Sequence, residues 1–276
     1  MNEINLFRRK LNIEETKLNI VSDININTSF NDNKNGNFIK RNYAKNKLDD
    51  FITYQRNELK DYIINNPLFA KTLTPYNSNK SESTNLIPKI VNLMINSSNI
   101  ANVGPTATIA GTIAELSLEY LMEQGSKYAI VENGGDIAFL NDYSDKKIIC
   151  GIYAGKSPLT GKIGLEFKSK KKNCPLGVCS SSASVGYSIS YGRSDCVTII
   201  ANQASVADGL ATSIGNKVNG KLDSDAIENG LTTAEEFREH FIGALIIVKE
   251  SFGTIGKLPK IVETNNEDVL NNFEEE

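Results

Sequence analysis

The stretch from Tyr128 to Leu140 constrains this chain more than any other. Tyr128-Ala129-Ile130-Val131 is a short apolar run, and Glu132-Asn133-Gly134-Gly135-Asp136 follows it at once. Four apolar residues bounded by a polar turn read as a buried strand. A double glycine lets the backbone turn sharply or approach another group closely, and Asp136 then presents a carboxylate there. Ile137 to Leu140 resumes the apolar pattern as a further strand.

Other segments fall into the same two classes. Residues 8–30 alternate polar and apolar side chains, as in Lys17-Leu18-Asn19-Ile20-Val21, and read as two edge strands or a hairpin. Asn31 to Asn37 reads as a turn or mobile loop. Ile148 to Tyr153, Cys196 to Ala201 and Ala244 to Lys249 read as strands. From Lys47 to Ile64, the residues Leu48, Phe51, Ile52, Gln55, Leu59, Tyr62 and Ile63 share one helical stripe, and Pro67 follows it. A polar loop over 71–85 leads to a second helix near Pro88, with Ile90, Val91, Met94 and Ile95 on its buried face. After Gly104-Pro105 a third helix carries Ala107, Ala110, Gly111 and Ala114 at spacings that let it lie very close to a sheet or a ligand. Phe167 to Asn173, with four lysines, reads as a solvated turn. Thr232 with Glu235, or Thr233 with Glu236, offers a capping box for a late helix. Hairpins mixed with intervening helices predict α+β architecture rather than a regular doubly wound sheet. We expect one domain over residues 1–262 and a disordered acidic tail over 263–276.

Composition excludes several functions. A net charge of -3 over 276 residues gives no electrostatic case for nucleic acid or an anionic membrane surface. The chain has one histidine, His240, so a zinc site with two histidine ligands cannot form within it. His240 precedes an apolar strand, where a structural role is expected. Met1-Asn2-Glu3-Ile4-Asn5 leads into Arg8-Arg9-Lys10 with no apolar run, and no stretch is long and apolar enough to span a bilayer. The expectation is a cytoplasmic protein with reduced thiols at Cys150, Cys174, Cys179 and Cys196.

Four constellations carry candidate chemistry. Asp208 and Thr212 stand four residues apart, on one helical face, and both offer hard oxygen ligands suited to Mg²⁺. From spacing alone an N-cap of its own helix is the commoner role for such an Asp. Asn133, Gly134, Gly135 and Asp136 form either a ligand-lining turn or an ordinary tight turn, with Glu132 as an acid or base beside it. Ser180 to Ser188 supplies hydroxyls and amides that cradle an anion or else form a surface loop; Ser181, Ser182 and Ser184 are its candidate ligand contacts. Cys174-Pro175-Leu176-Gly177-Val178-Cys179 reads as a Gly/Pro turn with two thiols, of which Cys179 stands nearest the serine-rich loop. Such thiols hold a metal, form a redox pair, carry a persulfide, or pack as small hydrophobes.

In this order the pieces resemble the ApbE-like superfamily, most closely a numbered side branch common in anaerobic prokaryotes. The likeness runs from about Arg8 to Gly256. It rests on Asn66-Pro67-Leu68-Phe69, Val103-Gly104-Pro105-Thr106-Ala107, Ala110 to Glu115, Val131 to Ile137, Gly177 to Ser181, Val185 to Ser188 and Ala207 to Asn216. The characterised members are Mg²⁺-dependent flavin transferases that cleave FAD and attach FMN to a Thr or Ser of a target protein. The resemblance implies that Asp208 and Thr212 match their metal-binding Asp-x-x-x-Thr pair. It likewise implies that Gly134, Gly135 and Asp136 match the turn lining the flavin pocket. Their Lys-Gly helix start corresponds to Ala110-Gly111 and their nearby Asp to Glu115.

Two departures are evident. The lysine is replaced by Ala110, and the His-x-x-Asp-Pro-x-Thr-Gly segment before the metal helix is missing. These losses argue against classical flavin transfer while leaving the scaffold and a ligand pocket. The leading expectation is binding of a nucleotide-type or phosphorylated small molecule, flavin (FAD or FMN) included, with Mg²⁺ and with Glu132 or Glu115 as acid or base. The side branch also implies a second reading, an accessory protein with a partner in sulfide assimilation and homocysteine formation, acting through Cys179. A third is a non-catalytic structural subunit of an oligomer.

Overall fold

The computed structural model describes residues 4–26, 47–77, 87–169, 171–183 and 192–265. The loop expected at Asn31–Asn37, residues 78–86, Lys170, Ser184 with the serine-rich stretch that follows, and residues 266–276 of the tail expected over 263–276 lie outside these, while Glu263 ends a strand.

The core is an eight-stranded antiparallel sheet. Its strands are β1 (Phe7–Ile13), β2 (Thr16–Ser22), β3 (Tyr128–Asn133), β4 (Asp136–Asn141), β7 (Leu176–Ser181), β8 (Cys196–Ala201), β9 (Gly243–Val248) and β10 (Ser251–Gly256), in that spatial order. A second sheet, ordered β11-β6-β5, comprises β5 (Lys147–Gly151), β6 (Ile163–Lys168) and β11 (Lys260–Glu263). The helices among the described residues are α1 (Leu48–Asn65), α2 (Pro67–Lys71), α3 (Lys89–Ala101), α4 (Ile109–Glu123), α5 (Ala204–Gly215) and α6 (Asp223–Glu236). The architecture is α+β, as the pattern predicts.

Three layers result. α4 packs on β3 and β4, α5 packs on β7 and β8, and α6 covers β9 and β10. α3 packs on α5, and α1 on α3 and α4. The three-stranded sheet covers the opposite face of the large one, where Phe139 meets Phe167 edge to face at 5.0 Å. The middle strands are therefore buried on both sides. Strict period-2 alternation sorts them: Ala129 and Val131 point to the helices, whereas Tyr128 and Ile130 point to the small sheet. β8 and β9, buried at every position, read as continuous apolar runs for the same reason.

Several expectations are corrected. Phe167 and Lys168 end a strand rather than open a turn, because Ile163, Leu165 and Phe167 pack against the large sheet. Thr232, Thr233, Glu235 and Glu236 lie in the last turns of α6 and cap nothing at its start, where the Asp225 carboxylate instead accepts the Leu222 amide at 3.4 Å. The turn expected from Cys174 to Cys179 becomes β7 from Leu176 onward. α2, β10 and β11 go beyond what the sequence pattern shows. His240 ends a short 3-10 turn just before β9 and touches only Glu239 among the described acids. Among the described residues no helix is long and apolar enough to cross a membrane.

Candidate functional site

The hairpin turn between β3 and β4 is built by backbone geometry. Gly134 and Gly135 both have positive φ, 64° and 98°, which a two-residue hairpin turn demands at its centre. Among the described residues a Cβ at either would meet nothing within 4 Å, so these glycines serve conformation. Glu132 braces the turn from behind. Its carboxylate accepts the Gly135 amide at 2.8 Å and the Asn19 side-chain amide at 2.6 Å. Both oxygens are thus engaged in fixing the turn.

Register places polar groups in a row across the sheet. Leu18 pairs with Asn133, Asn133 with Asp136, Cys179 with Ile199, and Ile199 with Ala244. Ile137 pairs with Val178, which sets Asp136 beside Cys179. This face looks toward α4 and α5. The row is apolar at its ends and polar at its centre, where the two helices begin.

The helix starts converge there. The Asn133 side-chain amide donates to the Ala110 carbonyl at 3.1 Å, tying the hairpin to the first turn of α4. The Asp208 carboxylate accepts the Gly111 amide at 2.9 Å. Asp208 is the fifth residue of α5, whose N-cap is Gln203, so the expectation that it caps its own helix is wrong. It occupies an N-terminal amide of α4 instead, where a carboxylate also suits the helix dipole. A Cβ on Gly111 would overlap the Ala204 carbonyl oxygen, and one on Gly177 would overlap the Ala204 Cα. Small residues here allow the contact that brings Asp208 to the hairpin. Thr212 lies one turn beyond Asp208 on α5, half-buried, with no side-chain hydrogen bond among the described residues.

The electrostatics of this centre are unbalanced. Asp136 is 8% exposed, and its Oδ1 has no hydrogen-bond partner among the described residues. Burial pushes its carboxyl well above the ordinary range, and the nearby Asp208 carboxylate pushes it further; the Cys179 thiol and Ser180 amide offset only part of this. Asp208 is raised to about 7 by burial, against the opposing pull of the Gly111 and Ala110 amides. No lysine or arginine is among the described groups setting either value.

The remaining candidates are separated by the fold. Cys179 is fully buried in β7, its thiol donates to the Ala204 carbonyl at 3.2 Å, and burial followed by Asp136 and Asp208 raises its pKa well above the usual thiol value. A nucleophilic or persulfide-bearing cysteine needs the opposite environment. Cys174 is exposed outside the strand, so the two thiols do not form a paired turn. Ser181 faces the far end of α5, with its Oγ 3.7 Å from where a Gly215 Cβ would lie. Ser182 is half-buried just beyond β7. Glu115 is not free for proton transfer: its carboxylate accepts the Ser205 amide at 2.9 Å, the Ser205 hydroxyl at 2.7 Å and the Gln203 side chain at 3.2 Å. Sequence reasoning misses Ser205 and Gln203; polar residues at a helix start are the available signal. Among the described residues no group of three or more His, Cys, Asp or Glu side chains is arranged to hold a metal.

Known proteins share this fold. Residues 23–239 match the family model described as "AbpE bacteria". A "UPF0280 protein" of Methanothermobacter thermautotrophicus is 45% identical over 83% of this chain and 85% of its own length. One from Methanococcus vannielii is 40% identical over 97% of each chain. Among solved structures, a mutant form of a protein titled flavin transferase ApbE from Vibrio cholerae superposes with a TM-score of 0.52. It is 14% identical, with 96% of this chain and 99% of that one covered, a likeness of fold.

Proposed function

This chain belongs to the AbpE family of ApbE-like proteins, and we propose that it binds a phosphorylated, nucleotide-type ligand, with flavin the first candidate, together with a divalent cation. Asp208 and Thr212 would hold the cation through oxygen ligands, with waters and ligand phosphates filling the other positions, as Mg²⁺ prefers. Asn133, Gly134, Gly135 and Asp136 would line the ligand, and Ser181 and Ser182 would approach its anionic part. Ser184 belongs to the same proposal but lies outside the described residues.

One observation carries the reading. Asp136 and Asp208 are two neighbouring buried carboxyls at a helix junction, with an unpartnered Asp136 oxygen among the described residues and no lysine or arginine among the groups that set their pKa values. Burying carboxylate charge is costly, so the pair holds protons when no cation is bound, and a hard cation can take the place of those protons. An all-oxygen donor pair disfavours a soft metal. The flavin part of the proposal leans on the fold shared with the Vibrio cholerae flavin transferase. The transfer reaction itself is not included, because the His-x-x-Asp-Pro-x-Thr-Gly segment is missing from this sequence. Proton transfer by Glu132 or Glu115 is not favoured either, since both are engaged with backbone amides.

Titration of FMN and FAD fluorescence tests this. Saturable quenching that requires Mg²⁺ and vanishes in Asp208→Ala is expected. Equal quenching with and without Mg²⁺, or none with either flavin, would defeat the flavin-with-cation reading.

A further inference from the structure

α4 and α5 cap one another. Neither helix has a side-chain cap from its own N-cap residue, Thr108 or Gln203. Instead Asp208 of α5 takes the Gly111 amide of α4, while Glu115 of α4 takes the Ser205 amide and hydroxyl of α5. Gly111 and Glu115 are one turn apart on α4, and Ser205 and Asp208 are nearly one turn apart on α5. The two carboxylate bonds therefore brace the same crossing, at which Gly111 admits the Ala204 carbonyl. A third helix joins the brace, because the Ser97 hydroxyl of α3 donates to that of Ser205 at 2.8 Å. Glu115, Ser205 and Ser97 are all buried.

We propose that Glu115 is a positioning residue, setting the axial and rotational placement of α5 so that Asp208 and Thr212 present their oxygens together at the hairpin turn. This deepens the cation-site reading and rests on it. The argument is geometric. Asp208 is three residues past Ser205, so a shift of the first turn of α5 moves Asp208 with it. Ala204, caught between Gly111 and Gly177, prevents compensation by sliding along α4 or β7. Glu115 directs both oxygens to this one helix start, which suits a brace and not an acid or base.

Mn²⁺ alone, followed by loss of its free-ion EPR signal, is the probe. Wild type, Glu115→Ala, Glu115→Gln, Asp208→Asn and Leu245→Ala are compared, each with its melting temperature. Leu245 is buried on the opposite face of the sheet, so Leu245→Ala controls for loss of stability alone. Asp208→Asn should abolish binding. Glu115→Ala should weaken it about tenfold, the scale of removing a group that orients a metal ligand. Glu115→Gln, which keeps an acceptor for the Ser205 amide, should recover most of the affinity. Leu245→Ala should melt earlier yet bind as wild type. If Glu115→Ala binds as wild type while Asp208→Asn does not, the positioning role is wrong and the cation site stands. If Leu245→Ala loses as much affinity as Glu115→Ala, the effect is stability alone and the role is again wrong. If wild type fails to bind Mn²⁺, or Asp208→Asn binds equally well, the cation reading falls and this inference falls with it.

Discussion

The Asp208 carboxylate on the second turn of α5 accepts the Gly111 amide in the first turn of α4, at 2.9 Å and across 97 residues of sequence. This bond fixes the candidate site, because it seats a carboxylate at a helix N-terminus directly above the polar centre of the large sheet. Its consequences can be measured.

The first is steric. Gly111 has no room for a methyl group, which would overlap the Ala204 carbonyl oxygen and sit 2.7 Å from the Asp208 Cβ. Both neighbours belong to α5 and must move together. Gly111→Ala should therefore lower stability by about 1–3 kcal/mol, the usual cost of overpacking. It should also weaken Mn²⁺ binding, whereas Gly134→Ala, whose Cβ meets none of the described residues within 4 Å, should leave the helix crossing intact and suffer from its positive φ. Chemical denaturation paired with metal titration separates the two effects.

The second concerns pH. Asp208 has its folded-state pKa raised from 3.8 to about 7, and Asp136 is raised well above 3.8. In the unfolded chain both ionise near their ordinary value. Between these values the folded state holds protons that the unfolded state has released, so stability falls as pH rises. The cation-free protein should be more stable at about pH 5 than at about pH 8, with a loss on the order of a few kcal/mol across this window. Asp208→Asn and Asp136→Asn should flatten the profile and raise the melting temperature at the alkaline end. Thermal melts in a chelator, repeated with excess Mg²⁺, provide the check. Added Mg²⁺ should restore wild type at the alkaline end and leave Asp208→Asn unchanged.

The third concerns thiols. Of the four cysteines only Cys174 is exposed, and burial suppresses the thiolates of Cys150, Cys179 and Cys196. A single thiol in the native chain should react rapidly with an aromatic disulfide reagent, and the Cys174→Ser variant should show none. Peptide mapping that found Cys179 labelled at a comparable rate would revive sulfur handling at that residue.

Local pattern makes the elements readable. The stripe from Leu48 to Ile63 is α1, the alternation before Val21 is a hairpin, and the run from Tyr128 to Val131 is the strand carrying the glycine turn. What local pattern misses is long-range. The capping preference of Asp is a local statistic that favours a cap of α5, yet tertiary packing gives that carboxylate to α4. Glu115 reads as a possible acid because nothing local shows that residues 203 and 205 fold back onto it. Pro175 and Gly177 suggest a turn before Cys179, but that glycine lies within β7, where its missing Cβ leaves room for Ala204. In β6 the lysines mask an alternation of Ile163, Leu165 and Phe167 that is present in the sequence. The resemblance of the whole chain to ApbE-like proteins is legible where single motifs are not, because it combines weak signals in a fixed order.

The most direct test of the cation site is anomalous diffraction from crystals grown with Mn²⁺. We predict one strong peak within about 2.0–2.6 Å of oxygens of Asp208 and Thr212, the span that Mg²⁺ and Ca²⁺ distances cover, on the side of α5 that faces Asp136. A structure with Mn²⁺ in excess and no peak at these residues, or with its peak at the surface acids alone, would contradict it.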